Sequence, residues 1–176
     1  MTDRGTILDT SPDPFDRMFA VNVRGPYFLM QEAIRRMIRE GIFGSIINIG
    51  SILALAGQPF INAYRASKGA LTTLTANTAF SVMANRIRVN QLNVGWMASD
   101  HERELQAQSS GDAEWESKAA AKLPFGCLID PEEAARAVNF IASDDAGLMT
   151  GAIVNFDQSA WGAAVSMPVP EGPMAI

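Results

Sequence analysis

Gly44-Ser45-Ile46-Ile47-Asn48-Ile49-Gly50-Ser51, followed after twelve intervening residues by Tyr64-Arg65-Ala66-Ser67-Lys68, decides how this chain is read. The apolar run Ser45 to Ile49 is short and rich in isoleucine, the pattern of a parallel strand buried on both faces. A loop punctuated by Gly57 and Pro59 follows, then a helix from Ala63 to about Ala84. Its first turns carry Ala66, Ser67, Gly69 and Ala70, small enough for another backbone to come close. Residues four apart share a helical face, so the Lys68 ammonium can sit near the Tyr64 phenol. A nearby positive charge favours phenolate and brings a tyrosine down from about 10 towards neutral pH. That is what an acid/base group for an alcohol or ketone requires. Ser51 falls at the carboxyl end of the strand, where open parallel sheets bind their ligands. A tyrosine four residues before a lysine is common by itself, so the surrounding elements carry the weight.

Working outward, Ser11-Pro12 reads as a helix start, with serine as cap and proline at the first position. Phe15, Met18, Phe19, Phe28, Ala33 and Met37 extend that helix towards Glu40, interrupted at Gly25-Pro26. Proline lacks the N–H that would bond the Asn22 carbonyl, so a kink is predicted there. Arg86 to Leu92 alternates polar and apolar residues as a second, less apolar strand. Asp130-Pro131-Glu132-Glu133 starts a helix that ends near Ser143, and Ile153 to Phe156 is a third strand. Between them, Ser99 to Leu123 is charged, rich in alanine and broken at Ser109-Ser110-Gly111; it reads as two mobile helices outside the core. Met167 to Ile176 holds three prolines and little pattern. Strands and helices in this order predict an α/β fold with a parallel sheet and crossover helices. A buried parallel sheet normally has more than three strands.

At 176 residues the chain is about one domain, and 48% apolar residues support a core. Net charge is −5, with no concentrated basic face to neutralise phosphates, so a nucleic-acid partner is not expected. Arg35, Arg36 and Arg39 cluster at the end of a helix, where they complement its dipole. Cys127 is the only cysteine, so no internal disulfide forms, which fits a reducing compartment. The first fourteen residues lack the apolar stretch of a signal peptide. The run Ile46 to Ala56 is too short and polar to span a bilayer. A cytoplasmic protein without a membrane partner is expected. His101 reads as a surface residue, and no His, Cys and carboxylate cluster has metal-ligand spacing.

Taken together, Gly44 to Ser51 and Ala63-Tyr64-Arg65-Ala66-Ser67-Lys68-Gly69-Ala70 resemble the active-site signature of the short-chain dehydrogenase/reductase family. Phe19-Ala20-Val21-Asn22-Val23-Arg24-Gly25 resembles the helix carrying the family's catalytic asparagine. Ile87-Arg88-Val89-Asn90 through Gly95 and Ser99 resembles its next strand and the loop over the nicotinamide, and Thr150-Gly151 to Asp157 resembles its last strand. The resemblance runs to about Trp161. It implies the C-terminal part of a Rossmann-type doubly wound sheet, three strands in the family order 5-6-7. Residues 1–161 would form a partial NAD(P)-binding domain, and 162–176 a flexible or oligomer-contacting tail.

The resemblance further implies roles. Tyr64 would be the acid/base, Ser51 would orient the substrate oxygen, and Lys68 would lower the tyrosine pKa and hold the nicotinamide ribose. Asn22 would hold a relay water through its backbone carbonyl. Tyr64, Lys68, Gly95, Met97 and Ser99 would contact NAD or NADP. Val94 replaces the family's usual proline and Ser99 its threonine; both keep a workable loop. The last strand is followed by Asp157-Gln158-Ser159-Ala160-Trp161 in place of the family's glycines, and Trp161 could serve a substrate pocket or an oligomer contact. The implied activity is NAD(P)-dependent hydride transfer between an alcohol, a sugar or polyol among the options, and its ketone. The long helices 12–40 and 63–84 resemble the family's subunit interface, so a homo-oligomer, dimer or tetramer, is expected.

The glycine-rich turn that holds the pyrophosphate in that family has no counterpart here. Thr2 to Thr6 resembles the segment just after the fourth of seven strands, so in the sheet order 3-2-1-4-5-6-7 one side of the sheet would be missing. The strand at Ser45 to Ile49 would then expose an unpaired apolar edge. The alternative reading is therefore a non-catalytic truncated fragment, or an association module unable to bind the dinucleotide.

Overall fold

The computed structural model describes residues 2–158, without the side chains of residues 108–110. The proposed tail 162–176 and Trp161 lie outside the described residues. Three parallel strands, β1 (Ser45–Ser51), β2 (Arg88–Val94) and β3 (Ile153–Phe156), form one sheet in the order β1-β2-β3. The helices are α1 (Pro12–Phe19), α2 (Gly25–Glu40), α3 (Asn62–Val82), α4 (Asp100–Ser110), α5 (Trp115–Ala120) and α6 (Pro131–Ala142). This is the α/β architecture expected from the element order.

The interruption at Gly25-Pro26 takes a specific form. Ala20–Arg24 is a π-helical turn, and the Gly25 N–H bonds back to the Ala20 carbonyl. Pro26 cannot donate to the Asn22 carbonyl, so the helix widens by one residue ahead of it. Asp130 caps α6 as read: its Oδ1 accepts from the Glu132 N–H at 2.8 Å, and Glu133 Oε2 accepts from the Asp130 N–H at 3.4 Å.

Two expectations need correction. The second strand lies two residues further on than Arg86 to Leu92, because Arg86 turns into the left-handed region (φ 58°) and only then does the chain extend. More important, β2 rather than β1 is the buried strand. Val89 to Val94 are all buried, since β2 pairs on both edges and carries helices on both faces. Along β1, Ile47 packs with the α6 cluster, but Ile49 on the same face is 47% exposed. The outer edge of β1 pairs with no strand among the described residues. A cavity of about 380 Å³ runs along it, lined by Val21, Leu29, Ile47, Ile49 and Lys68 among others.

The two faces of the sheet carry separate cores. Met30, Ala79, Val82, Ile87 and Val89 join α2 and α3 to one face. Leu92, Val94, Ile129, Ala134 and Ile141 join α6 to the other. The region 99–123 does form two helices, but it is not wholly outside a core: Ala119 is buried with Ala98 and Leu128, and Trp115 packs against them. No helix among the described residues is long and apolar enough to cross a membrane.

Arg88, the first residue of β2, ties α6 to the sheet. Its guanidinium donates to the carbonyls of Ile141 (2.9 Å), Ala142 (3.1 Å), Ser143 (2.9 Å) and Met149 (3.3 Å). These include last-turn carbonyls that have no partner within the helix, and the cation suits the negative end of the helix dipole. Arg88→Met should destabilise the fold by about 2–4 kcal/mol in urea unfolding, because several carbonyls lose a charged donor together. Arg36→Met, which removes only an exposed pair with Glu40, should stay within about 0.5 kcal/mol. Equal effects of the two would remove Arg88 from this role.

Candidate active site

β1 ends at Ser51, and the chain passes through a short turn (Ile52–Ala54) before α3 begins at Asn62. Ser51 is buried; its Oγ accepts from the Leu53 N–H at 3.2 Å, and the hydroxyl acts on the Tyr64 phenol to favour its ionised form. It therefore caps the turn and reaches the phenol at once. Tyr64 and Lys68 lie one turn apart on α3, with Lys68 Nζ 5.7 Å from the centre of the Tyr64 ring. The ammonium donates to the Ile49 carbonyl at 3.0 Å, bridging α3 to the carboxyl end of β1.

Asn22 reaches the same place from the π-helical turn. Its buried Nδ2 donates to Ser67 Oγ at 3.0 Å, and Ser67 Oγ donates to the Tyr64 carbonyl at 2.7 Å. Ser51, Tyr64, Lys68 and Asn22, far apart in sequence, are thus brought together at one end of the sheet.

Behind them lies a buried polar seam between α3 and the sheet. Asn48 Nδ2 donates to Thr75 Oγ1 at 2.8 Å, and Gln91 Nε2 donates to Thr72 Oγ1 at 2.8 Å. Thr75 Oγ1 stands 3.0 Å from Gln91 Oε1, and Asn93 Nδ2 donates to Asn155 Oδ1 at 3.0 Å. A Cβ at Gly50 would overlap the Gln91 and Asn93 side chains, so any larger residue there would displace the seam.

Gly95, Met97 and Ser99 follow β2 but are engaged differently from one another. The Gly95 N–H bonds to the Phe156 carbonyl at 3.0 Å, and a Cβ at Gly95 would overlap the Asp157 carboxylate. The Met97 side chain packs with the α6 cluster, and its backbone bridges to Ile129. Ser99 caps α4, its Oγ accepting from the Glu102 N–H at 3.2 Å.

The electrostatics differ from the sequence expectation. Burial pushes the Tyr64 phenol above its ordinary value; the Ser51 hydrogen bond pulls it down, and the negative charge of Glu102 adds to the rise. The Lys68 ammonium is held on the Ile49 carbonyl, and burial lowers its own pKa. Three neighbours were missed: Ser67, Trp96 and Glu102. The spacing Ser99-x-x-Glu102 fits a helix-start pattern and could have placed Glu102 one turn into α4. Ser67 had no signal beyond its small size.

With fold and site in view, the comparisons agree. A family model described as enoyl-(acyl carrier protein) reductase matches residues 1–158. The chain belongs to the short-chain dehydrogenase/reductase family. An uncharacterized oxidoreductase of Thermotoga maritima is 37% identical over 87% of this chain and 61% of its own length. L-rhamnose 1-dehydrogenase (NAD(P)(+)) of Sphingomonas sp. is 34% identical over 85% of this chain and 58% of its own. The solved structure of 4-hydroxyisoleucine dehydrogenase complexed with NADH superposes with a TM-score of 0.81 at 27% identity, over 94% of this chain and 66% of that one. The chain thus spans about three fifths of the length of these curated relatives.

Tyr27→Phe leaves Tyr64 as the only tyrosine, so its ionisation can be followed by ultraviolet absorbance. The midpoint should lie above about 10, and Ser51→Ala should move it higher still. A midpoint below 10 would falsify this description of the site. Between about pH 10 and the folded midpoint, the native state keeps a proton that the unfolded chain has released. Stability should therefore fall as pH rises through that window.

Proposed function

We propose that the chain carries the catalytic half of an NAD(P)-dependent oxidoreductase that interconverts an alcohol, a sugar or polyol among the candidates, and its ketone. The observation that carries this reading is the gathering of Ser51, at the carboxyl end of β1, with Tyr64 and Lys68 on the first turns of α3, Lys68 being tied to the Ile49 carbonyl of the same strand. Ser51 holds the substrate oxygen. Tyr64 gives its proton to that oxygen when a ketone is reduced and takes it back when an alcohol is oxidised. Its raised pKa keeps the phenol protonated at neutral pH, ready to donate. Asn22 orients the first turn of α3 through Ser67 and would place a relay water at its carbonyl.

The donor set fits the nicotinamide end of a dinucleotide: a half-buried ammonium, a phenol and a close-packed glycine stand together beyond the strand ends. Lys68 and Tyr64 would hold the ribose, and Gly95, Met97 and Ser99 would border the ring. A nicotinamide bound there supplies or accepts the hydride. The relatives' printed cofactors, NAD(P)(+) in one and NADH in another, support this class without choosing between NAD and NADP.

The second reading, an association module, draws on the open edge of β1 and on the exposed apolar residues Leu29 (73%) and Phe80 (76%) of α2 and α3. Those helix faces would pair with a second copy. Dinucleotide titration separates the readings. Binding of NADH or NADPH by about 1 mM, with Tyr64→Phe slowing turnover of an alcohol by about 100-fold or more, supports the enzyme. No binding at that level, together with self-association in sedimentation, supports the module.

A further inference from the structure

The turn that follows β1 is held from both sides of one residue. Ser51 Oγ accepts from the Leu53 N–H at 3.2 Å, and the Leu53 carbonyl accepts from Arg65 Nε at 2.6 Å. The Leu55 N–H closes the turn on the Ile52 carbonyl at 2.9 Å. Arg65 directly follows Tyr64 on α3, so the helix that carries the phenol also grips the turn that orients Ser51. The guanidinium reaches further along the loop: its Nη1 lies 4.0 Å from where a Cβ at Gly57 would stand. Proton transfer at Tyr64 makes no use of this cation.

A serine hydroxyl has one donor and two acceptor sites. The Leu53 N–H occupies one acceptor site of Ser51 and so sets the direction of its O–H and of the remaining lone pair. The hydroxyl is buried, which leaves it few other partners to turn to. The Leu53 amide, however, is only as well placed as its turn, Ile52–Ala54, and one 3-10 turn has few internal bonds and poor hydrogen-bond geometry. A charged donor makes a shorter and stronger bond than a neutral amide does. Within the planar guanidinium the Nε–H has a fixed direction, set here by the first turn of α3. Arg65 therefore restrains the turn at the one residue whose N–H holds Ser51 Oγ.

We propose that Arg65 is a positioning residue of the site: by anchoring the Leu53 carbonyl it aims the Ser51 hydroxyl at the substrate oxygen. Its contribution is the Nε–H bond, and the charge serves only to strengthen that bond. This rests on the reading of Ser51 as the group that holds the substrate oxygen.

Two variants separate bond from charge. Arg65→Gln keeps an N–H donor at the place of Nε and removes the charge, whereas Arg65→Met keeps the length and removes both. Amide hydrogen exchange followed by NMR on the whole chain needs neither cofactor nor turnover. Arg65→Met should speed exchange at Leu53 about fivefold or more, and Arg65→Gln should stay within about twofold of wild type. The Gly5 N–H, bonded to the Phe60 carbonyl at the far end of the same loop, should keep its rate in both. In the Tyr27→Phe background, Arg65→Met should raise the Tyr64 titration midpoint in the same direction as Ser51→Ala, and should add nothing on top of Ser51→Ala. Unchanged exchange at Leu53, Arg65→Gln as fast as Arg65→Met, or equal rises at Gly5 and Leu53 overturns the proposal. So does a midpoint that follows Ser51→Ala but not Arg65→Met, or an Arg65→Met shift that persists on top of Ser51→Ala. A midpoint indifferent to Ser51→Ala counts instead against the reading of Ser51 with Tyr64, and Leu53 exchange then decides the place of Arg65.

Discussion

The hydrogen-bonded seating of α3 on the sheet is the constraint on which the site depends. Asn48 of β1 and Gln91 of β2 reach up into α3 and meet Thr75 and Thr72. Apolar contacts alone would let a helix slide or rotate with little loss, since they have no direction. Polar groups buried this deeply lose about 1–3 kcal/mol each when left unpaired, so one axial position is favoured over its neighbours. From that position the first turn of α3 overhangs the carboxyl end of β1. Tyr64 then meets Ser51, and Lys68 meets the Ile49 carbonyl.

Burial has opposite effects on the two ionisable groups at that end. It holds the phenol in its protonated form and weakens the proton affinity of the ammonium. Both shifts disfavour charge, and neither group neutralises the other directly. The Ser51 hydroxyl favours phenolate, while the charge of Glu102 acts against it. The resting electrostatics are those of a proton donor. Activation in the other direction has to come from ligands that bring charge or hydrogen bonds to the same space.

The position of the sheet edge explains much of the rest. β2, paired on both sides, tolerates Asn90, Gln91 and Asn93 in full burial because every one of them is hydrogen-bonded. β1, paired on one side, leaves Ile49 half exposed and borders a cavity that reaches from Ile47 to Lys68. The functional end and the open edge are therefore neighbours, and whatever covers the edge will also bound the site.

Much was legible in the chain itself. Local rules placed the Asp130 cap, the third strand at Ile153–Phe156 and the interruption before Pro26, because caps, strand runs and a missing N–H act over a few residues. The motifs around Ser51, Tyr64, Lys68 and Asn22 pointed to one family and one site for the same reason: their spacing along regular elements is short-range information. What only the tertiary structure decided was burial and charge. That β2 and not β1 is the enclosed strand follows from sheet order, which its alternation of polar and apolar residues disguised. That Tyr64 rises instead of falling follows from desolvation and from Glu102, thirty-eight residues away in sequence. Spacing along a helix shows which groups can meet; only the packed structure shows which of them are withdrawn from water, and that withdrawal sets their protonation.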